Sequence, residues 1–217
     1  MTTTSRNSNA RTQPVRPGER GYALVALLAL MTILAIVAMS AAPSLRQQSQ
    51  REREQEAIYR GEEVAEAIVL YTRLKGAPPT EMQQLLDGID VGIKKIHILR
   101  PSAAIDPLSQ KGEWKLVHPT DKVVGEFQDR VMEYTNGIIP DTREPFFKQF
   151  TRQITGLSDL KRDKDKESDK GECGDDTESN ASGGPFIGVV SRNRCPSVIT
   201  YYGIERHDFW VFTPLFR

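Results

Sequence analysis

The sequence predicts an α+β chain in which one long N-terminal helix, half transmembrane and half amphipathic, packs on a small antiparallel sheet. Three observations point there. No charged residue lies between Arg20 and Arg46, and inside that gap Tyr22 to Ala42 forms an apolar run of 21 residues, interrupted only by Thr32 and Ser40. Beyond it, Gln47 to Leu74 contains no proline and carries Ala57, Val64, Ile68 and Tyr71 at helical spacing. Near the C-terminus, short apolar runs alternate with polar loops, the pattern of paired strands. Whole-chain averages hide this division. The 217 residues carry 29 Lys+Arg against 29 Asp+Glu with a mean hydropathy of -0.45, which would pass for an ordinary soluble protein. The zero net charge also lacks the basic excess expected of a nucleic-acid binder.

The first element is the apolar run. A helix rises about 1.5 Å per residue, so about 20 apolar residues cross a hydrocarbon core of about 30 Å. A buried core helix of that length would show a polar stripe, and this run shows none. Residues 1–21 carry Arg6, Arg11, Arg16 and Arg20 against Glu19, a side-chain charge of +3, whereas Arg46 to Glu56 sums to zero. That bias sets the N-terminus in the cytoplasm and everything after residue 45 outside. Cleavage by an ordinary signal peptidase after Ala38-Met39-Ser40 is the competing outcome, although the run exceeds the usual apolar length of a secretory signal.

The residues before the run are more specific than a generic anchor. A short Arg-bearing leader ends in Gly18-Glu19-Arg20-Gly21, followed at once by an aromatic residue and the unbroken apolar stretch. This resembles the class III signal of type IV pilins and type II secretion pseudopilins. The resemblance implies that a prepilin peptidase cuts between Gly21 and Tyr22 and methylates Tyr22, so that the apolar helix is retained. It also implies a pilin-like fold and a helix kink at Pro43, which removes the hydrogen bond to the Met39 carbonyl. The implied partners are the peptidase, other pilin or pseudopilin subunits, an inner-membrane assembly platform and membrane lipid. The implied location is the inner membrane, single-pass, with the C-terminal domain periplasmic. The family usually carries Glu at the fifth mature position, where this chain has Ala26. That departure favours a minor or specialised subunit over a self-stacking major one. A single-pass anchored periplasmic binding module that never polymerises is the alternative.

The exposed half of the helix is expected to stop at Lys75-Gly76-Ala77-Pro78-Pro79. Gly61 sits mid-helix at a cost of about 1 kcal/mol relative to Ala, either for close packing on the sheet or simply tolerated. Thr80 to Gln83 reads as a capping box opening a short helix through Leu86 that ends near Gly88. Ile93 to Leu99 reads equally as strand or short helix. Ile105-Asp106-Pro107 and Lys111-Gly112 mark a turn before a strand from Glu113 to Val117. This order, a long helix, a Pro-rich loop, an Asp-Pro turn and a Trp-bearing strand, is similar to that of a pseudopilin subgroup. Phe186 to Val190, Val198 to Tyr202 and Phe209 to Phe212 read as an antiparallel meander joining the Trp114 strand. Trp210 and Phe212, two apart, are expected to face the helix, the alternative being an exposed aromatic stripe.

The divisions are therefore a leader at 1–21, a transmembrane helix at 22–45, its exposed continuation at 46–79, a first part of the head at 80–118, an insertion at 119–183 and the meander at 184–217. Within the insertion, Val123, Phe127, Val131 and Tyr134 recur at helical spacing, as do Phe147, Phe150, Ile154 and Leu157 after Pro145. Lys161 to Asn180 then holds eight acids and five bases without an aromatic residue, and reads as a mobile, solvated loop. Asp163, Asp165, Glu167 and Asp169 alternate as in a calcium loop. Ser168 and Gly174 stand where such a loop needs Gly and Glu, so no metal is expected.

Cys173 and Cys195 lie outside the membrane in this topology, where an oxidising compartment permits a disulfide closing 23 residues. Such a loop is worth about 3 kcal/mol by chain entropy. His97, His118 and His207 lack zinc-ligand spacing. No phosphate-binding loop, nucleophile motif or pair of catalytic acids is present. Neither an enzyme nor a cofactor is expected.

Overall fold

The structure, a computed structural model, describes residues 19–138, 140, 142, 144–150, 173–176 and 184–216, with only the backbone course at 19–20 and 38–46. The chain divides into two units, Met1–Arg46 and Gln47–Arg217, the second of which we call the head. Helix α1 runs Glu19–Lys75. In the first unit, every described side chain of residues 21–37 is open to solvent.

The transmembrane half expected of this helix is not found: among the described residues, no helix is long and apolar enough to cross a membrane. The described apolar side chains span residues 22–37. The remainder of the apolar run, residues 38–42, and the side chain of the expected kink residue Pro43 lie outside the described side chains. The helical assignment itself continues through position 43.

In the head, α1 buries one face. Glu54, Ala57, Gly61, Val64, Ile68 and Thr72 are all buried, a stripe advancing by threes and fours. The helix ends where Gly76 turns into the left-handed region (φ 77°) and donates its N–H to the Thr72 carbonyl at 2.8 Å. Helix α2 is Met82–Leu86. Its start departs by one residue from the expected capping box. Gln84, not Gln83, reaches back, its Oε1 accepting from the Thr80 N–H at 3.0 Å and its Nε2 donating to Thr80 Oγ1 at 2.8 Å. Gln83 instead donates to Asp87 Oδ1 at 2.7 Å.

Of the segment left open between strand and helix, Ile93 to Leu99, only Lys94–Ile96 is strand, Ile93 belongs to a turn and residues 97–99 are irregular. β1 (Ile89–Val91) and β2 (Lys94–Ile96) form an antiparallel hairpin turning at Gly92 and Ile93. The Asp106 turn leads through an Ile105–Glu113 bridge to β3 (Lys115–Val117). Helix α3 spans Lys122–Tyr134 and buries Val124, Phe127 and Val131 in the same core as α1. Lys148, Gln149 and Phe150 are helical, whereas Ile154 and Leu157 lie outside the described residues.

Among the described residues the expected meander and single sheet are not formed, and the strands make three separate two-stranded antiparallel sheets. β4 (Gly188–Val190) pairs with β3, and Val189 also bridges Phe212 through N–H to carbonyl bonds of 3.0 and 2.8 Å. β5 (Pro196–Tyr201) pairs with β6 (Ile204–Arg206), a strand inside a stretch read as loop. The physical reason is the turn. Tyr202 and Gly203 both have positive φ (49° and 74°), the two-residue geometry that folds the chain directly back from β5 into β6. Two 3-10 turns, His207–Phe209 and Pro214–Phe216, complete the head.

Trp210 and Phe212 are buried, so they are not an exposed aromatic stripe. The Trp210 indole N–H donates to the Ile204 carbonyl at 3.0 Å, and that of Trp114 to Ala103 at 2.9 Å. Phe212 meets Trp114 edge-on, and Phe127 packs among Tyr201, Tyr202 and Phe216.

Gly61 is where the helix touches the Phe212 ring. A Cβ built there would lie 2.2 Å from Phe212 Cδ2. Gly61→Ala gains about 1 kcal/mol of helix propensity. Overpacking of about 1–3 kcal/mol opposes that gain and is expected to exceed it. Thermal unfolding should show a net loss in Gly61→Ala, reduced when Phe212→Leu is added.

Candidate assembly surface and its anchorage

The residues singled out at the N-terminus fall in the first unit. Gly21 and Tyr22 lie inside α1, and a Cβ at Gly21 would meet nothing within 4 Å. After them come side chains that would normally be covered: Leu24, Leu27, Leu28, Met31, Ile33, Leu34 and others, exposed around the whole helix. A helix apolar on every side belongs in a core or a membrane, and exposed apolar patches of this extent mark an interaction surface. Ala26, where pilins usually carry Glu, is exposed among them.

The head is organised by buried carboxylates, which sequence patterns alone did not single out. Glu54 is fully buried on the apolar stripe of α1. Its oxygens accept from the backbone N–H groups of Val198 (2.9 and 3.0 Å) and Ile199 (2.8 Å), from Gln50 Nε2 at 2.9 Å and from His207 Nε2 at 3.0 Å. The other ring nitrogen of His207, Nδ1, is buried without a hydrogen-bond partner among the described residues. A signal for Glu54 existed: it stands three residues before Ala57, in phase with the apolar face.

Asp106 is the second such group. Its Oδ2 accepts from Ser191 Oγ at 2.7 Å and its Oδ1 from the Leu108 N–H at 2.9 Å. Burial pushes its carboxyl above the usual range, and the Ser191 hydroxyl and the N–H groups of Leu108, Arg192 and Ser109 partly offset that.

A disulfide joins Cys173 to Cys195, with Cα atoms 4.4 Å apart. The residues after Cys173 are held at several points. Asp175 accepts from Ser109 Oγ at 2.9 Å and the Gln110 N–H at 2.7 Å, and Asp176 bridges Lys115 (2.7 Å) and Arg194 (2.8 Å). The acidic candidates Asp163, Asp165, Glu167 and Asp169 lie outside the described residues. Among the described residues, no group of three or more His, Cys, Asp and Glu side chains is arranged to hold a metal.

Comparison with protein-family models, with curated proteins and with solved structures finds no match to this chain.

Two measurements check the anchorage. Glu54→Ala strands the donors of Val198, Ile199 and His207 and should cost about 3–5 kcal/mol in denaturant unfolding, with Glu54→Gln losing less. The second concerns pH. A carboxyl raised by burial contributes most stability below its unfolded value, near pH 4, and loses that contribution as pH rises through its raised native value. Replacing Asp106 by Asn removes this slope. Urea unfolding across a pH series should therefore show wild type gaining on Asp106→Asn as the solution is acidified from neutrality.

Proposed function

We propose that this chain is a pseudopilin-like structural subunit of a type II secretion or type IV pilus assembly, minor or specialised, built into a filament through its N-terminal apolar helix segment. The observation that carries this reading is the run of residues 22–37, helical and apolar yet uncovered on every side in the single chain. Such a surface requires partners, and a lateral bundle of like helices covers it. The Cys173–Cys195 disulfide supports an exported, oxidising setting for the head. Ala26 supports the minor role, because it brings no carboxylate into the apolar bundle to receive a neighbour's amine.

In this reading a prepilin peptidase removes residues 1–21 and methylates Tyr22, and the inner-membrane platform gathers the subunit at the lipid surface with its head on the periplasmic side. The work is mechanical and no cofactor enters. Mass spectrometry of the mature N-terminus tests it. The expected result is a start at Tyr22 carrying an N-methyl group, and an uncut chain in Gly21→Leu, where the added side chain has open space. An intact Met1, or a start near Ala41, would sink the reading.

A further inference from the structure

Residues 173–176 are seated on the head by contacts that the disulfide does not make. Asp175 bridges Asn193 in antiparallel fashion. On either side of that bridge the Arg194 N–H donates to the Gly174 carbonyl at 2.9 Å and the Asp176 N–H to the Arg192 carbonyl at 2.8 Å. Asp175 Oδ2 accepts from Ser109 Oγ at 2.9 Å and from the N–H groups of Gln110 at 2.7 Å and Lys111 at 3.3 Å. Asp176 is buried, with one oxygen on Lys115 at 2.7 Å and the other on Arg194 at 2.8 Å. A short bridge is thus pinned by two carboxylates.

The opposite cysteine is fixed as independently. The Cys195 N–H donates to Asn193 Oδ1 at 2.7 Å, and Asn193 Nδ2 donates in turn to the Leu108 carbonyl at 2.8 Å. The Cys195 carbonyl accepts from the His207 N–H at 3.4 Å, and three residues on, the Val198 N–H is held by Glu54. Cys173 is exposed and Cys195 half-buried, so one side of the pair is open to a dissolved thiol or disulfide. Two thiols 22 residues apart on an otherwise free chain meet at an effective concentration of about millimolar. Seating both backbones first raises that concentration, because the bond no longer has to close the loop itself.

We propose that Asp175 and Asp176 are positioning residues for the Cys173–Cys195 pair. They seat the segment before the bond forms and keep both thiols in register after it is reduced, so the bond opens and closes in place as a redox-sensitive lock. Closure takes a disulfide as oxidant. The Cys173 thiolate attacks one sulfur of that oxidant and displaces the other as a thiolate, leaving a mixed disulfide. The Cys195 thiolate then attacks the Cys173 sulfur, the Cys173–Cys195 bond forms, and the oxidant's remaining sulfur leaves as a thiolate. Two electrons pass to the oxidant, and its thiolates take up the two protons the cysteines release. The coupling is reciprocal: by whatever factor the seat favours the bond, the bond favours the seat. Asp176 is shielded from solvent, so its contacts keep a strength that exposed pairs lose.

The test uses the full chain, equilibrated in mixtures of reduced and oxidised dithiothreitol, quenched with acid, alkylated and read by mass spectrometry. Asp175→Ala/Asp176→Ala is expected to become half-reduced at a reduced-to-oxidised ratio about tenfold lower than wild type, the effect of one hydrogen bond to a charged group. Asp175→Asn, which keeps an acceptor, is expected to fall between the two. Gly61→Ala, which strains the core at Phe212 without touching the segment, is expected to leave the ratio unchanged. Hydrogen exchange gives a second readout. In Cys173→Ser/Cys195→Ser the N–H groups at positions 110, 176 and 194 are expected to stay protected. In the double alanine variant under reducing conditions they are expected to lose protection, while the Phe212 N–H, bonded to the Val189 carbonyl, keeps it and reports an intact head. An unchanged dithiothreitol ratio in the double alanine variant would overturn the proposal. So would loss of protection at those three positions on removing the cysteines, since the bond alone would then hold the segment.

Discussion

A carboxylate with no access to water decides how the head is put together. Glu54 accepts from a side chain of its own helix, two backbone N–H groups of β5 and the imidazole of the 3-10 turn beyond β6. Such a group is tolerated in a core only when every lone pair finds a donor, and the donors come from three places in the chain. Rotation of α1 about its axis is thereby fixed. Ala57, Gly61, Val64 and Ile68 follow Glu54 inward, and Glu56, Tyr59 and Glu66 are left outward. Gly61 then lies beneath the Phe212 ring, where only a residue without Cβ fits.

The same device recurs on a smaller scale. The three short sheets offer little ladder hydrogen bonding, and the loops are joined by acids facing N–H groups and cations. Asp106 ties its turn to Ser191, Asp175 ties the disulfide segment to residues 109–111, and Asp176 draws Lys115 and Arg194 together. Exposed pairs such as Arg100–Glu63 add little to stability by comparison, because solvent screens them.

Local physics was legible in the sequence and long-range pairing was not. Helical spacing found the face carrying Ala57, Val64 and Ile68, the Lys75-Gly76 stop and helix α3, because each of those signals lies within a few turns of chain. The sheet was misread because β4 pairs with β3 and bridges Phe212 while, among the described residues, β5 pairs only with β6, and apolar runs do not announce which run they join. β6 was missed because Ile204-Glu205-Arg206 is mostly polar and its turn, Tyr202-Gly203, lacks the Asn-Gly or Asp-Gly signal. Composition likewise does not reveal that Glu54 has donors waiting for it; only its phase on the apolar stripe hinted at burial. At the N-terminus the apolar run reads plainly, whereas the transmembrane half inferred from it did not emerge among the described residues.

The position of Phe212 also imposes an order on synthesis. Trp210, Val211, Phe212, Leu215 and Phe216 are buried, and they follow every other core residue of the head in the chain. A nascent chain that has not yet reached them has an open slot over Gly61, an unbridged edge at Val189 and no Phe216 for Phe127. The apolar segment at residues 22–37 has by then long been made. A nascent chain therefore carries its apolar helix segment well before its head can close, and translation that stops short of residue 210 leaves the core of the head incomplete.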